Sequence, residues 1–284
     1  MSASFIKREI MRTLTHRRRA TAVLVAAAPF VLLTGCGSDA EPTGRSFPSP
    51  GQSTAATEAS AATPRVVISH DQGLQVLDAK TLKPVADLDL PGFNRLNPSG
   101  DGRHLVVSIT SGGFRVLDVG TWGESHGDHS HYYTDDPVLT ATSYPATKPG
   151  HVVVHAGRTA LFDDGTGTVV VQDSAELAAG PDGARTYTTP AAHHGVAVEL
   201  SNRQLVISEG TEDARTGIRV LDDADQEIAA STDCPGVHGE AVAEEEAVVI
   251  GCENGALIYR GGRITKVTSP DDYGRIGNQA GSAA

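Results

Sequence analysis

After Leu33 no stretch of this chain repeats its apolar residues every three to four positions, so a core built on amphipathic helices is excluded. Long apolar runs are missing as well. The one from Ala20 to Leu33 falls short of the roughly 18 to 20 residues that a membrane-spanning helix needs. Positive charge is in deficit: 23 Lys and Arg against 35 Asp and Glu give a formal charge of -12, which argues against nucleic acid as a partner. There is no Gly-x-Ser-x-Gly elbow, no phosphate-cradling glycine loop, and no pair of carboxylates that divides into an acid and a base. Cysteine is limited to Cys36, Cys234 and Cys252, so at most one internal disulfide can form.

What is present begins with an export pattern. Lys7, Arg8, Arg12 and Arg17 to Arg19 form a basic head, and the apolar run behind them ends in Leu33-Thr34-Gly35-Cys36. That ending resembles the bacterial lipobox, whose cysteine carries lipid and becomes the mature N-terminus. Residues 1–35 are therefore expected to be a lipoprotein signal peptide and Cys36 the lipidated residue, holding the chain at the outer face of the cytoplasmic membrane. Met11 is an alternative start, because it leaves a basic head of Arg12 to Arg19. Residues 36–64 are Ser, Thr, Ala, Pro and Gly with almost no bulky apolar side chain, and are expected to be a disordered tether. Residues 1–35 hold six Lys and Arg and one Glu; residues 36–284 carry 17 basic and 34 acidic residues, a formal charge of -17. Such a surface steers cations, or a partner with a basic face, over a range that salt shortens.

The fold is written in a repeat. Gly73-Leu74-Gln75-Val76-Leu77-Asp78 returns as Gly113-Phe114-Arg115-Val116-Leu117-Asp118 and as Gly217-Ile218-Arg219-Val220-Leu221-Asp222, with weaker copies from Gly167 and Gly255. The five starts are 40, 54, 50 and 38 residues apart, the period of propeller blades with loop insertions. Short Val- and Ile-rich strands bounded by Gly, Pro, Asn and Asp lie between them. The expectation is an all-β chain: a β-propeller of about five four-stranded blades over residues 65–273, with a C-terminal tail at 274–284.

Chemistry concentrates in histidine. His126-Gly127-Asp128-His129-Ser130-His131 puts three imidazoles and a carboxylate in six residues. Zinc binding wants three or four such donors at one point. His129 and His131 share a face of an extended segment, and Gly127 lets His126 fold back toward them. A solvated polar loop is the bland reading of the same residues. A second repeat, His194-Gly195-Val196-Ala197-Val198 and His238-Gly239-Glu240-Ala241-Val242, recurs after 44 residues, about one blade. Both histidines then sit at the entrance of the inner strands of consecutive blades and face the axis, with His193 in support, and the His126 loop is expected to lie over the same channel mouth. Asp128 is either a ligand or the acceptor for the free N–H of a ligating histidine. His151 and His155 are read as core or rim residues, and His70 and His104 as structural. Cys234 and Cys252 flank a hairpin and form a disulfide in an oxidising compartment; a zinc thiolate pair is the alternative.

Three segments, Gly120 to Tyr133, His193 to Val198 and Cys234 to Ala241, together resemble the AztD-type zinc metallochaperones. These are exported propeller proteins that hand zinc to the solute-binding protein of a zinc ABC importer. The resemblance runs from about Arg65 to Gln279, and the family's chains extend through further blades, so the propeller here reads as incomplete and C-terminally truncated. It implies Zn(II) as the bound ion and a metal-binding role for His126, Asp128, His129, His131, His193, His194 and His238. It implies a carrier, not an enzyme. The rival readings are a metal-free interaction scaffold in the cell envelope, and a zinc hydrolase with Glu240 as its base.

Overall fold

The computed structural model describes residues 56–282. The expected signal peptide, the lipidated Cys36 and the tether as far as residue 55 lie outside them. The tether's expected end at Pro64 does not hold, because β1 (Thr57–Ala59) is a strand. The propeller proper opens with β2 (Arg65–His70), β3 (Gly73–Asp78) and β4 (Pro84–Asp89), a three-stranded antiparallel sheet.

The second blade takes β5 (Asn94–Pro98), β6 (His104–Ile109) and β7 (Phe114–Asp118). The chain then leaves for a hairpin, β8 (Thr121–His126) and β9 (His129–Thr134), before β10 (Val138–Tyr144) returns as the fourth strand. The third blade is β11 (Pro149–His155), β12 (Arg158–Asp163), β13 (Thr168–Asp173) and β14 (Arg185–Thr188). The fourth is β15 (Ala197–Glu199), β16 (Leu205–Gly210), β17 (Arg215–Leu221) and β18 (Glu227–Ser231). The fifth is β19 (Glu240–Ala243), β20 (Ala247–Cys252), β21 (Gly255–Arg260) and β22 (Arg263–Thr268). Each is an antiparallel meander in chain order, so the described residues form five blades of a β-propeller, four of them four-stranded.

In the four-stranded blades the sequence repeat marks one structural position, the third strand: β7, β13, β17 and β21. These strands are apolar on both faces, as a strand with a neighbouring blade on each side must be. Between blades the side chains interdigitate in four separate cores. Leu74 with Val107 and Leu117 joins the first blade to the second; Phe114, Tyr144 and Leu161 join the second to the third. Phe162, Ala197 and Ile207 join the third to the fourth, and Val198, Ile218, Ile250 and Tyr259 the fourth to the fifth. Each Val, Leu, Ile or Phe among them contributes about 1.5 to 3 kcal/mol on burial, and no blade can bury its own faces without a neighbour. The first strands β5, β11 and β15 run side by side, which makes them the inner strands.

Cys234 and Cys252 form a disulfide with Cα atoms 4.9 Å apart, both fully buried between the last two blades. The hairpin of β19 and β20 brings them together, as its spacing predicts. Because the bridge closes a loop over a separation of 18 residues, its loss releases chain entropy in the unfolded state. The Cys234→Ala/Cys252→Ala variant is expected to lose about 3 kcal/mol of unfolding free energy in urea titration; a loss below about 0.5 kcal/mol would show that the bridge does not constrain this corner.

Candidate metal centres

The histidines fall into two clusters instead of one. His126, His129 and His131 sit on the β8–β9 hairpin, which with β1 forms its own three-stranded sheet in the order β1-β9-β8. His151, His194 and His238 come from the inner-strand entrances of the third, fourth and fifth blades. Within each cluster one nitrogen from every ring lies within 4.8 Å of the others. The loop expected over the channel mouth is a hairpin between β7 and β10, so its imidazoles make a centre of their own.

The hairpin cluster is shaped by a two-residue turn. Gly127 takes φ of 64° as its first residue, where a side chain would be strained, and His126 pairs directly across from His129. Alternation then brings His131 to the same face. Ring centroids are 5.0 to 5.9 Å apart. Two carboxylates set the tautomers: Asp128 Oδ1 lies 3.1 Å from His129 Nδ1, and Glu58 Oε1, on β1, lies 2.7 Å from His131 Nδ1. With both Nδ1 protons donated, the Nε2 lone pairs of His129 and His131 face one another at 3.2 Å. Two lone pairs at that distance repel unless a proton or a metal ion lies between them. Asp128 is fully exposed and lies on the Nδ1 side of His129, the position of an acceptor behind the ring. The hairpin is held by Trp122 stacked on Tyr133 at 5.4 Å and by the Arg103 guanidinium 3.6 Å from the Trp122 ring centroid.

The central cluster is half-buried and more tightly supported. His151 lies 5.0 Å from His194 and 5.5 Å from His238 between ring centroids, and His194 lies 5.2 Å from His238. Asp164 Oδ2 accepts from His194 Nδ1 at 2.6 Å, while its Oδ1 accepts from the Gly195 N–H at 3.2 Å. A Cβ at position 150 would lie 2.1 Å from that Oδ1, so Gly150 is what lets the carboxylate in. His238 Nδ1 donates to the Gly277 carbonyl at 2.6 Å. Glu240 Oε2 stands 3.6 Å from His151 Nδ1, buried and without a hydrogen-bond partner. Again the Nδ1 edges face acceptors and the Nε2 edges are left for an ion.

Burial sets the protonation of this pocket. The His151 imidazole, desolvated and beside His194 and His238, is pushed down to about 4, and burial pushes the Glu240 carboxyl up to about 7. A neutral His151 is the form that ligates a metal. Three imidazoles, two of them with hydrogen-bonded Nδ1 edges and the third with Glu240 behind its Nδ1, fit Zn(II).

His193 does not belong to the cluster. It is 1% exposed, its Nδ1 bonds to the Ala191 carbonyl and its Nε2 to Ser208, so both nitrogens are used in holding β16. His155 bonds to Glu246, while His104 and His70 each face an aspartate, Asp101 and Asp87. His151, read as core or rim, is the ligand candidate that sequence reasoning missed. It stands 43 residues before His194, which stands 44 before His238, but in Gly150-His151 the order of the two residues is reversed and hides the repeat. No local signal marks Glu58, Asp164 or Gly277, which reach their histidines across 73, 30 and 39 residues.

No protein-family model matches the chain. Over 197 residues it is 27% identical to the zinc chaperone AztD of Citrobacter koseri, an alignment covering 68% of this chain and 47% of that protein. The crystal structure of Citrobacter koseri AztD superposes with a TM-score of 0.69 at 25% identity, over 78% of this chain and 62% of that one. The apo form of AztD from the same organism gives 0.68 at 24% identity, over 78% and 63%. The chain thus spans about half the length of the curated relative, and in sequence and fold it is similar to AztD.

In metal-free protein the His151 ring is expected to titrate with a midpoint near 4, from an ordinary 6.5, by NMR of its ring carbon. Since the unfolded chain takes up a proton at 6.5 that the folded one refuses, His151 also makes the fold lose stability as pH falls from about 6.5 toward 4. A midpoint at or above 6 would mean that His151 is instead an ion-pair partner of Glu240. At the hairpin, Glu58→Ala is expected to weaken zinc binding by about tenfold, and Glu58→Gln by less, because the amide oxygen still accepts from His131. Equal affinities in calorimetric titration of all three proteins would remove Glu58 from the centre.

Proposed function

We propose that this chain is an extracytoplasmic zinc carrier: it takes up Zn(II) at the central and hairpin clusters and passes it to the solute-binding protein of a zinc ABC importer, while a lipid on Cys36 holds it to the membrane. The observation that carries the reading is the meeting of His151, His194 and His238, from three consecutive blades, with their Nδ1 edges turned to Glu240, Asp164 and Gly277 and their Nε2 edges free. Such a geometry has no use in a scaffold, where polar side chains are satisfied and not gathered around a point. The likeness to the zinc chaperone AztD supports the same reading, and the Cys234–Cys252 disulfide suits an oxidising compartment.

The two centres divide the work by exposure. Half-buried in the wall of the propeller, the central site retains its ion. The hairpin site stands in solvent, so an acceptor protein can substitute its own ligands for His126, His129 and His131 one at a time without a bare ion forming. The net negative charge of the chain favours the cation's approach. Glu240 serves this reading as the carboxylate behind His151, not as a catalytic base.

Protein purified without a metal-affinity tag is expected to bind two zinc ions per chain, falling to one in His126→Ala/His129→Ala/His131→Ala and to one in His151→Ala/His194→Ala/His238→Ala. Zinc-loaded wild type should fill a zinc importer's apo solute-binding protein in the presence of a competing chelator, and the hairpin variant should do so more slowly. Unchanged stoichiometry in the central triple variant would overturn the reading.

A further inference from the structure

The segment Gly274–Gly281, expected to be a tail, lies along the entrance of the fifth blade. Gly274 bridges Asn254, the Ile276 N–H donates to the Cys252 carbonyl at 3.0 Å, and the Gly277 carbonyl accepts from His238 Nδ1. Beyond it the Gln279 side chain covers Gly239 and Gly251: a Cβ on either would come within 2.6 or 2.1 Å of the Gln279 amide. The two glycines clear a bed for this strand of chain. Yet both polar atoms of the Gln279 amide are buried without a hydrogen-bond partner, and Arg275, Asn278 and Ala280 are exposed. A segment seated with an unpaired amide gains those bonds from water when it lifts.

We propose that residues 274–281 are a strap that positions His238 for the ion and, by lifting, lets the ion go. Docked, the Gly277 carbonyl fixes the proton on Nδ1 and the plane of the ring, so that Nε2 points at His151 and His194. Lifted, His238 loses the acceptor that orients it, and the centre falls to His151 and His194. Release then needs the movement of one surface segment instead of the parting of two blades. The strap is anchored to Cys252, whose disulfide partner Cys234 stands four residues before His238, so one covalent corner holds both the ligand and the group that aims it. This inference rests on the central cluster being a zinc site.

The test uses the His126→Ala/His129→Ala/His131→Ala chain, so that only the central site is read. Deleting residues 273–284 is expected to weaken zinc affinity by about tenfold or more, speed its release to a chelator, and alter the visible spectrum of the Co(II)-loaded protein. A synthetic peptide of residues 270–284 should restore all three. Gln279→Leu, which keeps the volume and removes the unpaired amide, is expected to act in the opposite direction and slow release severalfold. A truncated chain that melts like its parent and binds zinc with the same affinity and the same Co(II) spectrum would overturn the proposal. Should truncation prevent folding, an unchanged release rate in Gln279→Leu would overturn it instead. A parent that binds no zinc at all would sink the zinc-site reading itself, a result distinct from either.

Discussion

The structure depends on a single constraint: a blade of this propeller is apolar on both faces and must be covered by the next. Four interblade cores satisfy it, and their consequence is geometric. Stacking face against face forces the first strands to lie side by side, and the residues that lead into those strands come together although they are more than forty positions apart in the chain. His151, His194 and His238 meet for that reason and no other. The cluster is a by-product of packing, formed by side chains that recur at blade spacing.

Both clusters solve the same chemical problem in different surroundings. An imidazole has two nitrogens, and a ligand must commit one of them in advance or lose affinity to tautomers and rotations. On the hairpin the commitment is made by Asp128 and Glu58, exposed carboxylates that water also competes for. Between the blades it is made by a carboxylate held over Gly150, by a backbone carbonyl, and by a buried acid beside His151. In the proposed reading, that difference in support separates a site that trades its ion from one that keeps it.

What the sequence showed and what it hid are both matters of range. The repeat starting at Gly73, Gly113, Gly167, Gly217 and Gly255 is legible because each of these strands carries its own apolar pattern, and the histidine hairpin is legible because its turn and donors are adjacent. His194 and His238 declared themselves through a motif recurring at blade spacing. His151 escaped because one transposed glycine broke that motif, even though its spacing obeyed the period. Glu58, Asp164 and Gly277 could not be read at all, since their role exists only once strands remote in sequence are paired. The two histidine groups stay apart because the β8–β9 insertion is not a free loop: β1 pairs to its edge and Arg103 pins it through Trp122.

Trp122 is the chain's sole tryptophan, and it sits in the hairpin that carries His126, His129 and His131, with its indole N–H given to Glu124 and its face to Tyr133 and Arg103. Indole emission from this protein therefore originates at one place only, within the sheet where an ion would be exchanged and outside the blades that hold the central histidines. The indole is thus a built-in local reporter on this hairpin, and an ion bound by His126, His129 and His131 would be read there with no dye attached.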